Sequence, residues 1–231
     1  MWDNPRLLNA MAGFLVGLVA LACTLVVLNW LLRASPFPIR TVELTTPLKH
    51  APRAQIEAVL ASQGRGNFFA APIDELRGAL ERLPWVRTAT VRRVWPDRLE
   101  VVIEEHVAFA RWGVDALVNT HGERFAGSSD EALPLFSGPA GTEAELTRRY
   151  ERFSALLVPL QSPIERLVLS ARHAWSVRLA NGLQLTLGRD ADLAEQRLAR
   201  FVEGYASAVG ARVPQVVDLR YPNGFAIRVK G

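Results

Sequence analysis

Cysteine is nearly absent: the 231 residues hold one, Cys23, and it lies in an apolar run. The rest of the chain can form no disulfide and offers no thiolate to a metal or substrate. Histidine is sparse too. His50, His106, His121 and His173 are scattered, without the H-x3-H or HExxH spacing that sets two ligands on one helical face, so no metal site is expected. Ser170 near His173 lacks the strand-turn-helix elbow of a catalytic nucleophile. Glu104 and Glu105 are neighbours on an expected strand and point to opposite faces, so they read as solubilising charges and not as an acid–base pair. GRGNFF at 64–69 has no lysine or Ser/Thr of a phosphate loop and reads as a linker between helices. Long runs of one charge are missing as well. The net +4 is spread through mixed-sign segments, without the aromatic interleaving of a nucleic-acid surface. No cofactor, small-molecule substrate, nucleic acid or catalysis is expected.

What is present is first a membrane-length run. Leu7–Leu32 carries no charge, and the stretch from Met11 onward would rise about 33 Å as a helix at about 1.5 Å per residue, enough to span a bilayer. The run is too long for the apolar region of a cleaved signal peptide, and Arg33-Ala-Ser-Pro-Phe-Pro38 is a poor cleavage site. Trp2 and Trp30 lie near its ends and Arg6 and Arg33 bracket it, as interfacial anchors do. Arg33, Arg40, Lys49 and Arg53 follow the run, so a strict positive-inside count favours a translocated N-terminus, although such counts govern long folded domains weakly.

Beyond the stiff Ser35-Pro-Phe-Pro38 connector the pattern is α+β. A strand at Ile39–Leu44 precedes a helix at Pro52–Ser62 with Ile56, Val59 and Leu60 on one face. A second helix opens at Pro72 with Ile73, Leu76, Leu80 and Leu83 aligned. Two strands follow, Trp85–Trp95 and Arg98–Val107, with Leu99, Val101 and Ile103 inward. The order is β-α-α-β-β. From Trp112 short strands alternate with glycine turns around two amphipathic helices, Glu143–Leu160 and Ala191–Ala208, each expected to cover a face of a mixed sheet.

Asn-Gly signatures at LANGL (179–183) and YPNGF (221–225) mark hairpins, and the apolar rows fix their loops. A three-residue loop pairs Leu179 with Leu183, Val177 with Leu185 and Trp175 with Leu187, whereas a two-residue loop would send these rows to opposite faces. The same count pairs Tyr221 with Phe225, Leu219 with Ile227 and Val217 with Val229, with positive φ expected at Gly182 and Gly224.

Several of these stretches carry a resemblance. Phe37-Pro-Ile-Arg-Thr-Val-Glu43, LPWVRTATVRRVWPDRLEVVIEEHVAFARW at 83–112, LGRDADLAEQRLARFVEGY at 187–205 and the ending DLRYPNGFAIRV together resemble the bacterial FtsQ/DivIB cell-division family over essentially the whole chain. His106 departs from the proline of many relatives. The resemblance implies a cytoplasmic tail (1–10), a transmembrane helix (11–33), a linker (34–38), a POTRA domain (39–108) and an FtsQ-type β domain (109–231). It further implies a non-enzymatic scaffold in the bacterial inner membrane at the division septum. Its N-terminus would be cytoplasmic and its bulk periplasmic. The implied partners are FtsB and FtsL, with other divisome proteins, and the implied role is to link early and late division proteins and coordinate septal peptidoglycan synthesis.

By the same resemblance the last strand receives a strand of FtsB. Tyr221, Asn223 and Gly224 match the family's FtsB-binding tyrosine and its neighbours, Arg220 and Phe225 flank them, and Arg172 or His173 matches an arginine that pairs with an acidic residue of FtsB. From the residues alone, Tyr221 opposite Phe225 is equally an ordinary cross-strand core pair, and Arg228 and Lys230 equally blunt unwanted edge pairing. Two other readings are a POTRA protein of envelope assembly or secretion handling client β-strands, expected to have repeated units or a barrel, and an envelope hydrolase, expected to have a convergent catalytic set.

Overall fold

A computed structural model describes residues 5–33, 37–209, 214–221 and 224–229, which divide into two compact units, Met1–Glu105 and His106–Gly231. In the first, α1 (Pro5–Arg33) contains a stretch, Asn9–Trp30, long and apolar enough to cross a membrane, and its side chains are exposed all round. A helix apolar on every side has no core-facing stripe of its own and suits a lipid surround.

The remainder of this unit is β1 (Thr41–Leu44), α2 (Arg53–Gln63), α3 (Ile73–Glu81), β2 (Val86–Val94) and β3 (Arg98–Glu105), in the order expected. The sheet runs β1-β3-β2, with β1 parallel and β2 antiparallel to β3. Alternation along β3 sends Leu99, Val101 and Ile103 into a core completed by Ile56, Leu60, Leu76 and Leu80. Pro52 and Pro72 sit one step outside their helices, as N-cap residues with ψ of 100° and 74°, and not in the first turn.

Glu105 corrects the sequence reading. Its carboxylate accepts the backbone N–H groups of Lys49 (3.0 Å), His50 (3.2 Å) and Ala51 (2.8 Å), tying the β1–α2 connection to the end of β3. It is a structural clasp. Glu104 points the other way, to Arg87 Nη1 (2.7 Å) and Thr88 Oγ1 (3.1 Å).

The second unit comprises β4 (Ala108–Trp112), β5 (Ala116–Asn119), β6 (Arg124–Ala126), β7 (Leu135–Ser137), α4 (Glu143–Leu157), β8 (Ile164–Leu169), β9 (Trp175–Leu179), β10 (Gln184–Gly188), α5 (Ala191–Val209), β11 (Pro214–Asp218) and β12 (Ala226–Val229). Its described strands form a nine-stranded mixed sheet in the order β12-β11-β10-β9-β8-β7-β4-β5-β6. Both helices lie on the same face. Phe153 of α4 and Leu198 and Phe201 of α5 join Phe136, Trp175, Leu185 and Val217 in one core, and Arg149 of α4 bridges to Glu195 (2.5 Å) and Asp192 (2.9 Å) of α5. Burial disfavours the charged Arg149, but hydrogen bonds to Glu195 and Asp192 more than offset it and raise its pKa.

Three local expectations need correction. α4, expected to run to Leu160, stops at Leu157 and continues only as a 3-10 turn, Val158–Leu160, because Pro159 has no N–H to donate and Gln161 turns left-handed at φ 52°. In the β9–β10 hairpin the three-residue loop holds, with Leu179 N–H donating to Leu183 O at 2.9 Å, Val177 opposite Leu185 and Gly182 at φ 88°. An irregularity between Thr186 and Gly188, however, sets Trp175 opposite Gly188 instead of Leu187. At the last hairpin Val217 faces Ile227 and Asp218 faces Ala226, two residues away from the expected register. Leu219 donates instead to Thr186 O (2.8 Å), which extends β11 along β10 and lengthens the connection to β12. Pro222, Asn223 and Lys230 lie outside the described residues, so the turn expected around Gly224 does too.

Candidate interaction edge

β12 closes one end of the nine-stranded sheet, paired to β11 on one side and, among the described residues, to no strand on the other. Its outer edge therefore leaves main-chain donors and acceptors available to an added strand.

The segment leading into β12 carries the residues singled out by sequence, and the fold separates their roles. Phe225 turns inward. Its ring packs edge to face on Phe201 of α5 at 5.3 Å, close against Gly204. Tyr221 turns outward and is 55% exposed, beyond the last β11–β12 pair, so it is not the cross-strand core partner of Phe225. Arg220 is held by Asp218, whose Oδ2 accepts Nη2 at 2.6 Å while Oδ1 accepts the Arg220 backbone N–H at 3.0 Å. The hydrogen bonds from Arg220 hold the Asp218 carboxyl below its usual range, with burial acting against them, and Asp218 in turn raises the Arg220 pKa.

A turn at the far end of β8 brings in the next residue. Ser170 accepts the His173 N–H (2.8 Å) on its carbonyl and the Ala174 N–H (3.0 Å) on its Oγ, and this presents Arg172 at the lip of a cavity of about 400 Å³ lined also by Arg189, Arg197 and Arg220. Arg172 lines this cavity; His173, at φ 57°, does not. Gly188 forms its floor, where a Cβ would come within 2.8 Å of Arg197 Nη1. Arg197 is pinned by donating to Leu187 O at 2.7 Å, while Arg172 and Arg189 have no partner among the described residues. Arg189 and Arg197 were missed as site residues, although both fall inside the LGRDADLAEQRLARFVEGY stretch.

Four arginines line a cationic recess at the ends of β10 and β11, and one of them, Arg220, is paired with Asp218. Such a recess suits an acidic side chain carried by an extended peptide. Among the described residues there is no group of three or more His, Cys, Asp or Glu able to hold a metal.

Comparison with known proteins agrees with this architecture. Residues 37–106 match the POTRA domain, FtsQ-type, and residues 110–220 match Cell division protein FtsQ/DivIB, C-terminal. Cell division protein FtsQ of Nitrosospira multiformis is 41% identical, over 99% of this chain and 99% of its own length. That of Burkholderia pseudomallei is 38% identical over 100% of this chain and 95% of its own, and that of Neisseria gonorrhoeae 32% over 99% and 95%. An apolar N-terminal helix, an FtsQ-type POTRA domain and a helix-covered mixed sheet, matched end to end by such relatives, establish that the chain belongs to the FtsQ/DivIB family of cell division proteins.

Proposed function

We propose that this chain is a non-enzymatic divisome scaffold, anchored by α1 with its N-terminus cytoplasmic and its two folded parts periplasmic. At the septum it binds FtsB, and FtsL with it, linking early and late division proteins and coordinating septal peptidoglycan synthesis. A strand of FtsB adds to the outer edge of β12. Tyr221, with Asn223 and Gly224 beside it, contacts that strand, Phe225 anchors the edge to α5, and Arg172 and Arg220 take an acidic side chain of FtsB. The observation that carries the reading is the outward turn of Tyr221, which forgoes burial in the connection leading into β12, one residue after Arg220 of the arginine recess.

The test is binding of a periplasmic FtsB peptide to residues 37–231, wild type against Tyr221→Ala, with circular dichroism as the check on folding. An interface anchor of this kind contributes about 2 kcal/mol, so the variant should bind about 30-fold more weakly with an unchanged fold. Unchanged affinity would refute the assignment of Tyr221 to the partner surface.

A further inference from the structure

The end of the first unit that the chain reaches after α1 bears three exposed aromatic rings. Phe37 is 41% exposed, Phe69 54% and Trp95 73%. Residues far apart in sequence are brought together there by backbone pairing. Phe68 N–H donates to Phe37 O (2.8 Å), Ile39 N–H donates to Gly66 O (2.9 Å), and Pro38 bridges to Asn67. The Phe37 and Phe69 rings meet edge to face at 5.4 Å. Because β1 runs parallel to β3 with Thr41 opposite Arg98, the Trp95-Pro96-Asp97 turn preceding β3 lies beside the start of β1. Arg40 N–H duly donates to Asp97 O at 2.9 Å.

These rings are held in place. Arg93 donates to the carbonyls of Phe68 (2.7 Å), Phe69 (3.3 Å) and Ala71 (2.9 Å), and the buried Asn67 accepts the Phe69 N–H on Oδ1 at 2.8 Å. The backbone on both sides of Phe69 is thereby fixed. A protein that uses this many hydrogen bonds to keep apolar rings at its surface has preorganised them for a partner. Cations stand beside them: Arg40, loosely paired with Asp97 at 3.6 Å, and Arg65, exposed and without a partner among the described residues, line one recess with Ile39 and with Glu57, whose carboxylate is taken up by Arg53 at 2.7 Å.

The tether identifies the partner. Phe37 follows the last residue of α1, Arg33, by four positions, a length that reaches at most about 14 Å when fully extended. The headgroup layer on each side of a bilayer is about 5–7 Å deep. The aromatic end therefore stays within reach of the bilayer surface, where amphipathic rings and arginines are favoured. We propose that this end of the first unit docks on the membrane that α1 crosses, with Phe37, Phe69 and Trp95 entering the headgroup layer and Arg40 and Arg65 pairing with lipid phosphates. The inference rests on α1 being a retained membrane span.

The experiment uses the full chain in lipid nanodiscs, with Trp2→Phe and Trp30→Phe removing the tryptophans at the ends of the span. The Trp95 emission is isolated as the difference from a further Trp95→Phe variant, and discs of ordinary lipid are compared with discs of lipid brominated near the headgroup. Most of the Trp95 emission should be lost in the brominated discs and recovered in a Phe37→Ser/Phe69→Ser double variant. Protein that co-elutes with the discs yet keeps equal Trp95 emission in both lipids overturns the docking alone. Failure to co-elute overturns the span and the docking together.

Discussion

Gly182, in the loop before β10, and Gly188, its last residue, have φ of 88° and 95°, but their surroundings differ. A Cβ on Gly182 would meet nothing within 4 Å, whereas one on Gly188 would come within 2.8 Å of Arg197 Nη1 and 3.5 Å of Arg220 Cγ. Gly182→Ala therefore costs only the left-handed backbone, about 1–2 kcal/mol. Gly188→Ala carries the same cost and also displaces the guanidinium whose Nη1 donates to Leu187 O at 2.7 Å. A hydrogen bond from a charged donor contributes about 1.5–3 kcal/mol, so the second variant should lose about 2.5–5 kcal/mol in all. Urea unfolding of both variants measures the difference, and titration with the FtsB peptide measures its effect on the recess. Gly188→Ala should be the less stable by about 1.5–3 kcal/mol and should bind more weakly, while Gly182→Ala binds as wild type. Equal losses of stability in the two variants would refute the claim that Arg197 is pinned over the floor of the recess.

Two further outcomes follow from the clasp and the carboxylate. Glu105→Ala leaves three backbone donors without their acceptor, of which only that of buried Ala51 is shielded from water, so about 2 kcal/mol should be lost from the first unit. Hydrogen exchange at 49–51 should accelerate with it. The Asp218 carboxyl is held below its ordinary value of 3.8, so its contribution to stability is fully present above that pH and is lost as pH falls through the lower folded value. Wild type should therefore exceed Asp218→Asn in urea midpoint at pH 7 by more than it does near pH 3, and a constant gap would disprove the linkage.

Periodicity makes the element order and the inward faces legible in the sequence itself. Leu99, Val101 and Ile103 alternate as a half-buried strand must, and Leu146, Phe153 and Leu157 recur at helical spacing. The β9–β10 loop was legible because a one-residue slip would have exposed its apolar row. The β11–β12 register was not, because the observed two-residue offset keeps Val217, Leu219 and Ile227 on their expected face and costs that row nothing. Glu105 escaped notice because the amides it binds lie 54–56 residues earlier and meet it through the parallel β1–β3 pairing. The arginine recess is likewise assembled from three separate connections and the helix α5, and no local spacing announces it. Tyr221 was ambiguous between core and surface until the register was known.

The order of the sheet has a consequence for how the chain acquires its edge. β10 and β11 are adjacent and parallel, and the chain passes from one to the other through the whole of α5. β11 can take its place only after that long crossover has closed, and β12 only after β11. The last hairpin is thus among the slowest parts of the unit to assemble. A chain stalled part-way through folding, or one whose α5 has failed to dock, lacks the β12 edge and does not have its four arginines gathered. Availability of the edge is accordingly a report on maturation: whatever pairs with β12 selects, by that act alone, for chains that have finished folding.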